Sequence, residues 1–243
     1  MDKTIYITLI ATLVCGGGTS LGGILAVTFR KSNNAVLSAI MGIAGGLMLS
    51  VVTFDLIPEA ILMGGMKKAF LGIFIGVVFV TALDLLMPET KLVKRYGTQF
   101  KTALLLGIGL AAHNFPEGLA IGSGFMGGNT LGFELLLVIG LHDIPEGAAV
   151  ASPLMQSSLS KGMIVLFTFL TAVPTSLGAY VGAVLGEISP AFTTICLGFA
   201  GGTMLYIVCG ELIPESKDLS KGVFSTIAII LGVILGILIT SAA

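Results

Sequence analysis

Only two histidines occur in the 243 residues, and each opens a hexamer: His113-Asn114-Phe115-Pro116-Glu117-Gly118 and, 29 residues on, His142-Asp143-Ile144-Pro145-Glu146-Gly147. Positions i, i+3 and i+4 share one helix face, so His113, Asn114 and Glu117 form one stripe, and His142, Asp143 and Glu146 form another. Two imidazoles, three carboxylates and an amide make a donor set suited to Zn, Fe, Mn, Cd or a similar divalent ion. Pro116 and Pro145 lack an N–H and crowd the carbonyl four residues back, which predicts freed carbonyl oxygens at Ala112 and Leu141 beside the stripes. Gly118 and Gly147 are expected to let the two helices approach closely enough for the stripes to face one another. The structural alternative is helix-to-helix hydrogen bonding by intramembrane polar residues. Burying so many ionisable groups in an apolar run is expensive, and the whole set is duplicated, which favours function.

The elements that must carry these stripes are membrane spans. Hydrophobic residues make up 55% of the chain and charged residues 10%, with 34 glycines. The mean hydropathy is +1.06. Soluble domains carry about 25% charged residues, so the chain reads as an all-α polytopic membrane protein with a single transmembrane domain over 1–243. A net charge of −1 and the absence of a basic, aromatic-laced patch argue against nucleic acid as a partner. Cys15, Cys196 and Cys209 are far apart, lack CxxC spacing and read as small buried hydrophobes.

A span needs about 20 mostly apolar residues. Eight stretches qualify: Ile5–Val27, Ala35–Ile57, Phe70–Met87, Thr102–Phe125, Leu131–Leu154, Gly162–Leu185, Phe192–Ile213 and Val223–Thr240. The first exceeds the roughly 7 to 15 apolar residues of a signal-peptide core and reads as a span. With the N-terminus and even-numbered loops on one side, that side holds Lys3, Lys67 and Lys68 against nine basic residues opposite. The positive-inside rule then places both termini outside the cell membrane.

The chain also repeats itself. Residues 42–60 and 198–216 align at an offset of 156 with 11 identities in 19, including GG-x-ML and LIPE. These segments lie in spans 2 and 7, whose odd separation makes them cross in opposite senses. The expected architecture is an inverted repeat of spans 1–3 against 6–8 around central spans 4 and 5, a plan on which secondary transporters place a midplane site. Asp55 and Glu211 are mates in the repeat, expected toward helix ends, and serve either as pathway carboxylates or as interfacial charges. Asp84 carries less weight. Glu134, eight residues before His142, belongs either to a funnel leading to the site or to the helix N-terminus, whose positive end it complements. Met48 and Met204 are repeat mates with soft thioethers, although methionine in apolar helices is usually packing. No Walker loop points to ATP-driven pumping.

These motifs and the eight spans closely resemble the ZIP family of divalent-metal transporters. The resemblance implies a two-metal site, with His113, Glu117, His142 and Glu146 around the first ion and Met48 as a looser contributor. Asn114, Glu117, Asp143 and Glu146 would hold the second, the glutamates bridging. It also implies alternating access, with spans 1, 4, 5 and 6 moving against 2, 3, 7 and 8, often in a homodimer. Divalent metal ions are then transported substrate, delivered to the cytoplasm, and not a cofactor. Two departures stand out: the loop between spans 3 and 4 is short and lacks His, and span 6 reads Ala172-Val173-Pro174-Thr175-Ser176-Leu177-Gly178 where many bacterial relatives place a glutamate. Thr175 offers only a hydroxyl, so the second ion is expected to be held weakly. The rival activity is an intramembrane two-metal hydrolase, in which the ions activate water. No further acid, base or oxyanion group near the motifs supports it, and the inverted repeat serves a transporter. The reading is therefore a transporter and not an enzyme.

Overall fold

The computed structural model describes residues 2–28, 34–86, 98–127, 129–185 and 189–242. Among these residues the structure is helical, and eight helices are long and apolar enough to cross a membrane. They are α1 (Lys3–Thr28), α2 (Asn34–Gly64), α3 (Met66–Leu86), α4 (Thr98–Gly127), α5 (Asn129–Met155), α6 (Lys161–Leu185), α7 (190–219) and α8 (Val223–Ala242). Large apolar side chains such as Leu13, Phe74, Leu85 and Leu238 stand exposed on the outer surface, as lipid-facing positions require. Arg30, Lys31, Lys91, Lys94, Arg95 and Glu187 lie outside the described residues.

Two of the expected span ends are extended. Asp55 and Glu211 were expected toward the ends of helices terminating near Ile57 and Ile213; instead α2 continues to Gly64 and α7 to Leu219. Each acidic residue sits inside a single π-helical turn, Val52–Leu56 in α2 and Val208–Leu212 in α7. Pro58 and Pro214 follow these turns and supply the reason: a proline cannot donate to the carbonyl four residues back, and widening the helix by one residue absorbs the clash without ending it. The two π turns are separated by 156 residues, the period found in the sequence. A single glycine, Gly65 with φ 87°, turns the chain from α2 into α3, a conformation that residues with a Cβ rarely adopt.

Helix packing obeys the same period. A Cβ at Gly46 would strike the carbonyl of Ile229, and one at Gly202 would strike that of Ile73, so α2 on α8 is repeated as α7 on α3. Likewise Gly22 meets the Ile144 carbonyl and Gly178 meets the Phe115 carbonyl, so α1 on α5 is repeated as α6 on α4. In both examples 156 relates the outer repeats, and 29 relates α4 to α5. The helices accordingly gather into two groups, α1, α4, α5 and α6 in one and α2, α3, α7 and α8 in the other. Between the groups lies an apolar layer of side chains, in which Met41, Met48, Val52, Met204, Ile207 and Val208 of α2 and α7 pack on Leu106, Leu110, Ala149 and Val150 of α4 and α5.

Candidate metal centre

All six motif residues are buried, none of them more than 4% exposed. The pairing is crossed. His113 Nε2 of α4 lies 3.1 Å from Glu146 Oε1 of α5, and His142 Nε2 of α5 lies 3.3 Å from Glu117 Oε1 of α4. This is the twofold relation expected when two copies of one stripe meet antiparallel. Glu117, His142 and Asp143 each present a ligand atom within 4.8 Å of the others, a spacing that a single ion can bridge.

The bonding within this cluster is incomplete. Nδ1 of both histidines, Oδ1 of Asn114, both Asp143 oxygens and Oε2 of Glu117 and Glu146 are buried without a hydrogen-bond partner. Leaving a carboxylate dry and unpaired costs several kcal/mol. A divalent cation supplies the missing charge and takes the free lone pairs together, so the donor set fits metal ions as cargo.

Gly118 and Gly147 do not do what the sequence suggested. They do not bring α4 and α5 together. A Cβ on Gly118 would collide with the Thr175 carbonyl of α6, and one on Gly147 with the Thr19 carbonyl of α1. Gly118 and Gly147 lie about 100° around the helix from Glu117 and Glu146 and past Asn114 and Asp143, beyond the edge of each stripe. These glycines seat α6 and α1 against the backs of α4 and α5, while the motif side chains span the gap between those two helices.

Thr175 lies on α6, one turn beyond Thr171, and its carbonyl packs against Gly118 of α4. Asn114 Nδ2 donates to the Thr171 carbonyl at 2.8 Å, which turns its Oδ1 away from α6 and fixes which amide atom is free for a metal. That bond occupies the carbonyl one turn before Thr175, whose buried hydroxyl is left unpartnered. In the other half the arrangement is exchanged: Thr19, the mate of Thr175, donates to the Cys15 carbonyl at 3.2 Å, and Asp143, the mate of Asn114, is the group left unbonded. Sequence analysis missed this correspondence. The signal was present, because Thr19-Ser20-Leu21-Gly22 matches Thr175-Ser176-Leu177-Gly178 at the same offset of 156.

The remaining sequence candidates separate clearly. Asp55 is half-buried in its π turn, within electrostatic reach of His142 and Glu117. Glu211 instead interacts with Asp84, Glu215 and Lys101. Asp84 accepts a 2.9 Å hydrogen bond from the Tyr206 hydroxyl. Met48 is fully buried in the apolar layer between the helix groups, which accounts for it as packing. Glu134 falls outside the described side chains.

Comparison with known proteins agrees with this geometry. Residues 85–242 match the family described as ZIP Zinc transporter. The chain is 32% identical to "Zinc transporter ZTP29" of Arabidopsis thaliana, covering 90% of this chain and 87% of that protein. It is 34% identical to "Zinc transporter GufA" of Myxococcus xanthus (86% and 87%) and 32% identical to "Zinc transporter ZupT" of Enterobacter sp. strain 638 (88% and 88%). Such relatives set aside the hydrolytic reading of the paired histidines and carboxylates. The chain belongs to the ZIP family, and with eight apolar helices around a buried ligand cluster it is a multi-pass membrane transporter and not an enzyme.

Proposed function

We propose that this transporter moves zinc, with iron, manganese and cadmium as further candidate ions, into the cytoplasm by alternating access through the centre between α4 and α5. The observation that carries this reading is the cluster of His113, Asn114, Glu117, His142, Asp143 and Glu146, sealed from solvent with its acceptor atoms unbonded. A structural polar network satisfies its members internally; this one is completed by a cation. The zinc in the relatives' names fits a centre of imidazoles and carboxylates.

Alternating access draws support from how the two helix groups are built. Backbone-on-backbone contacts at described glycines fall within a group, as at Gly22, Gly118, Gly147 and Gly178 in one and Gly46, Gly72, Gly202 and Gly232 in the other. Across the groups, Gly109 meets only the side chain of Ile207. Each group is locked by close backbone fit, while the layer between them is flexible methionine, leucine and valine that can repack as one group slides. Inward delivery rests on the excess of Lys and Arg on one face, with both termini outside.

Metal uptake by purified protein in sealed liposomes tests this function. Zinc should accumulate without ATP, and accumulation should be lost in a Glu117→Gln, Glu146→Gln variant that is correctly inserted. Normal uptake by that variant would remove the centre from the mechanism.

A further inference from the structure

Apolar contacts between the two helix groups are unevenly placed along the helices. Successive spans run in opposite directions, so the starts of α2, α4, α6 and α8 share one end of the molecule with the finishes of α1, α3, α5 and α7. Lys101, Lys161, Lys217 and Lys221 mark this end. Leu106 and Leu110 precede His113 on α4, and Ala149 and Val150 follow Glu146 on α5. The layer they form with Met204 and Ile207 of α7 therefore lies between the motif residues and the lysine-bearing end. Nearer still to that end, a second cluster joins Leu37 of α2 to Phe100 of α4 and to Ala151 and Leu154 of α5. At the opposite end the clusters among the described residues stay within one group. Ile121 of α4 and Ile139 of α5 pack with Ile7 and Ala11 of α1, while Ala60, Ala69 and Leu197 join α2, α3 and α7.

The internal repeats turn this unevenness into a comparison of like with like. The offset of 29 takes Leu106 and Leu110 of α4 to Leu135 and Ile139 of α5. The first two face the other helix group, whereas the second two pack toward α1. The same operation pairs Ala120 with Ala149, and the offset of 156 pairs Thr193 with Leu37. Ala120 and Thr193 line a gap between α4 and α7, whereas Ala149 and Leu37 are buried in the clusters that join the groups. Matching side chains with unlike contacts are what an inverted repeat shows when the molecule rests in one of two exchangeable arrangements.

We propose that this structure is the state closed toward the lysine-bearing end, gated by Leu106, Leu110, Met204 and Ile207, and that the opposite state forms when Leu135, Val138 and Ile139 of α5 close on Met48 and Val51 of α2. This rests on the alternating-access reading and deepens it. An apolar layer stops an ion because moving a charge out of water into such surroundings is prohibitive, so metal in the present state is released only away from the lysines. The positive-inside rule makes the closed end cytoplasmic and the state outward-facing.

The test uses the full-length transporter with Cys196→Ser and Cys209→Ser and one of two further pairs. Gly109→Cys with Ile207→Cys joins side chains that meet across the gate. Val138→Cys with Val51→Cys is the counterpart of that pair under the two offsets. Membrane vesicles of known sidedness are oxidised to form the link, then given Zn²⁺ on one side only. The binding counted is that lost when Glu117→Gln and Glu146→Gln are added. With the first link, zinc should reach the centre only from the face opposite Lys161, and with the second only from the Lys161 face. Both links should stop uptake until reduced. Zinc that reaches the centre from the Lys161 face through the first link overturns the gate, while alternating access stands if both links stop uptake. Uptake that continues through both links overturns alternating access and this proposal together. Leu110→Ala supplies a measurement without any link: thinning the layer should speed release of bound zinc to the Lys161 face several-fold, and an unchanged rate overturns the gate.

Discussion

At the scale of single residues, the free lone pairs rank the ligands. Glu117 and Glu146 each touch a histidine of the opposite helix and still hold an unbonded oxygen, so each can reach two ions. Asn114 contributes one neutral oxygen. Liposome uptake should therefore fall much further in Glu117→Gln or Glu146→Gln than in Asn114→Ala. Asn114→Ala should carry a smaller additional cost of about 1 kcal/mol in stability, because it removes the bond to Thr171. Charge makes a second prediction. Two divalent ions bring four positive charges, while Glu117, Asp143 and Glu146 supply three negative ones, and in a poorly screened interior the imbalance is felt strongly. Thr175→Glu should tighten the second of two binding events in calorimetry, and unchanged affinity for both ions would show that the charge is balanced elsewhere. Acidification should weaken both events, since protons compete with metal for imidazole and carboxylate alike.

At the scale of helices, glycines and prolines set the spacing and course of the chain. Gly147 admits the Thr19 carbonyl of α1, and a methyl group in that place requires the two backbones to separate. Gly147→Ala is expected to cost about 3 kcal/mol or somewhat more, at or beyond the upper end for overpacked interiors, read as a drop in melting temperature in detergent. Gly17, with open space around it, should accept alanine without loss and serves as the control. The paired π turns carry Asp55 and Glu211 in equivalent frames, but only Asp55 reaches the electrostatic field of the motif residues. Asp55→Asn should accordingly alter the metal concentration dependence of uptake more than Glu211→Asn does; equal effects would remove Asp55 from the pathway.

For the whole molecule, two glycine-locked groups meet through an apolar side-chain layer, and under the proposed alternating access that layer is where they would slide. A cross-link between the groups should stop transport, and one within a group should not. Cysteines at Gly109 and Ile207 would bridge α4 to α7 across the layer. Cysteines at Ser38 and Ser216, whose hydroxyls are 3.4 Å apart and bond to each other's carbonyls, would bridge α2 to α7 inside one group. With Cys196 and Cys209 replaced, oxidation should arrest zinc uptake in the first variant, reversibly by thiol reduction, and leave the second active. Membrane orientation is tested separately, by cysteines beside Lys94 and Asn129 labelled from the two sides; Lys94 is expected to react only from the cytoplasm.

Eight spans, the inverted repeat and the six motif side chains that the structure buries together were legible in the sequence, because hydropathy, a constant offset of 156 and helical spacing can be read along the chain. The crossed pairing of His113 with Glu146 and His142 with Glu117 was implicit in the duplicated hexamer once the two helices were known to be antiparallel. Other features depended on which helices touch. Gly118 and Gly147 read naturally as the contact between α4 and α5, yet they serve α6 and α1, because one residue's rotation carries them off the ligand face. The prolines at 58 and 214 read as helix ends and proved to be widened turns, since a long apolar helix loses less by adding one residue to a turn than by stopping inside the membrane. Cys15 read as filler because the three cysteines are far apart, lie in apolar runs and lack CxxC spacing. Only the packing of α1 against α5 put Gly18 against Gly140 and Asp143, and spacing within one helix contains no information about the face of another.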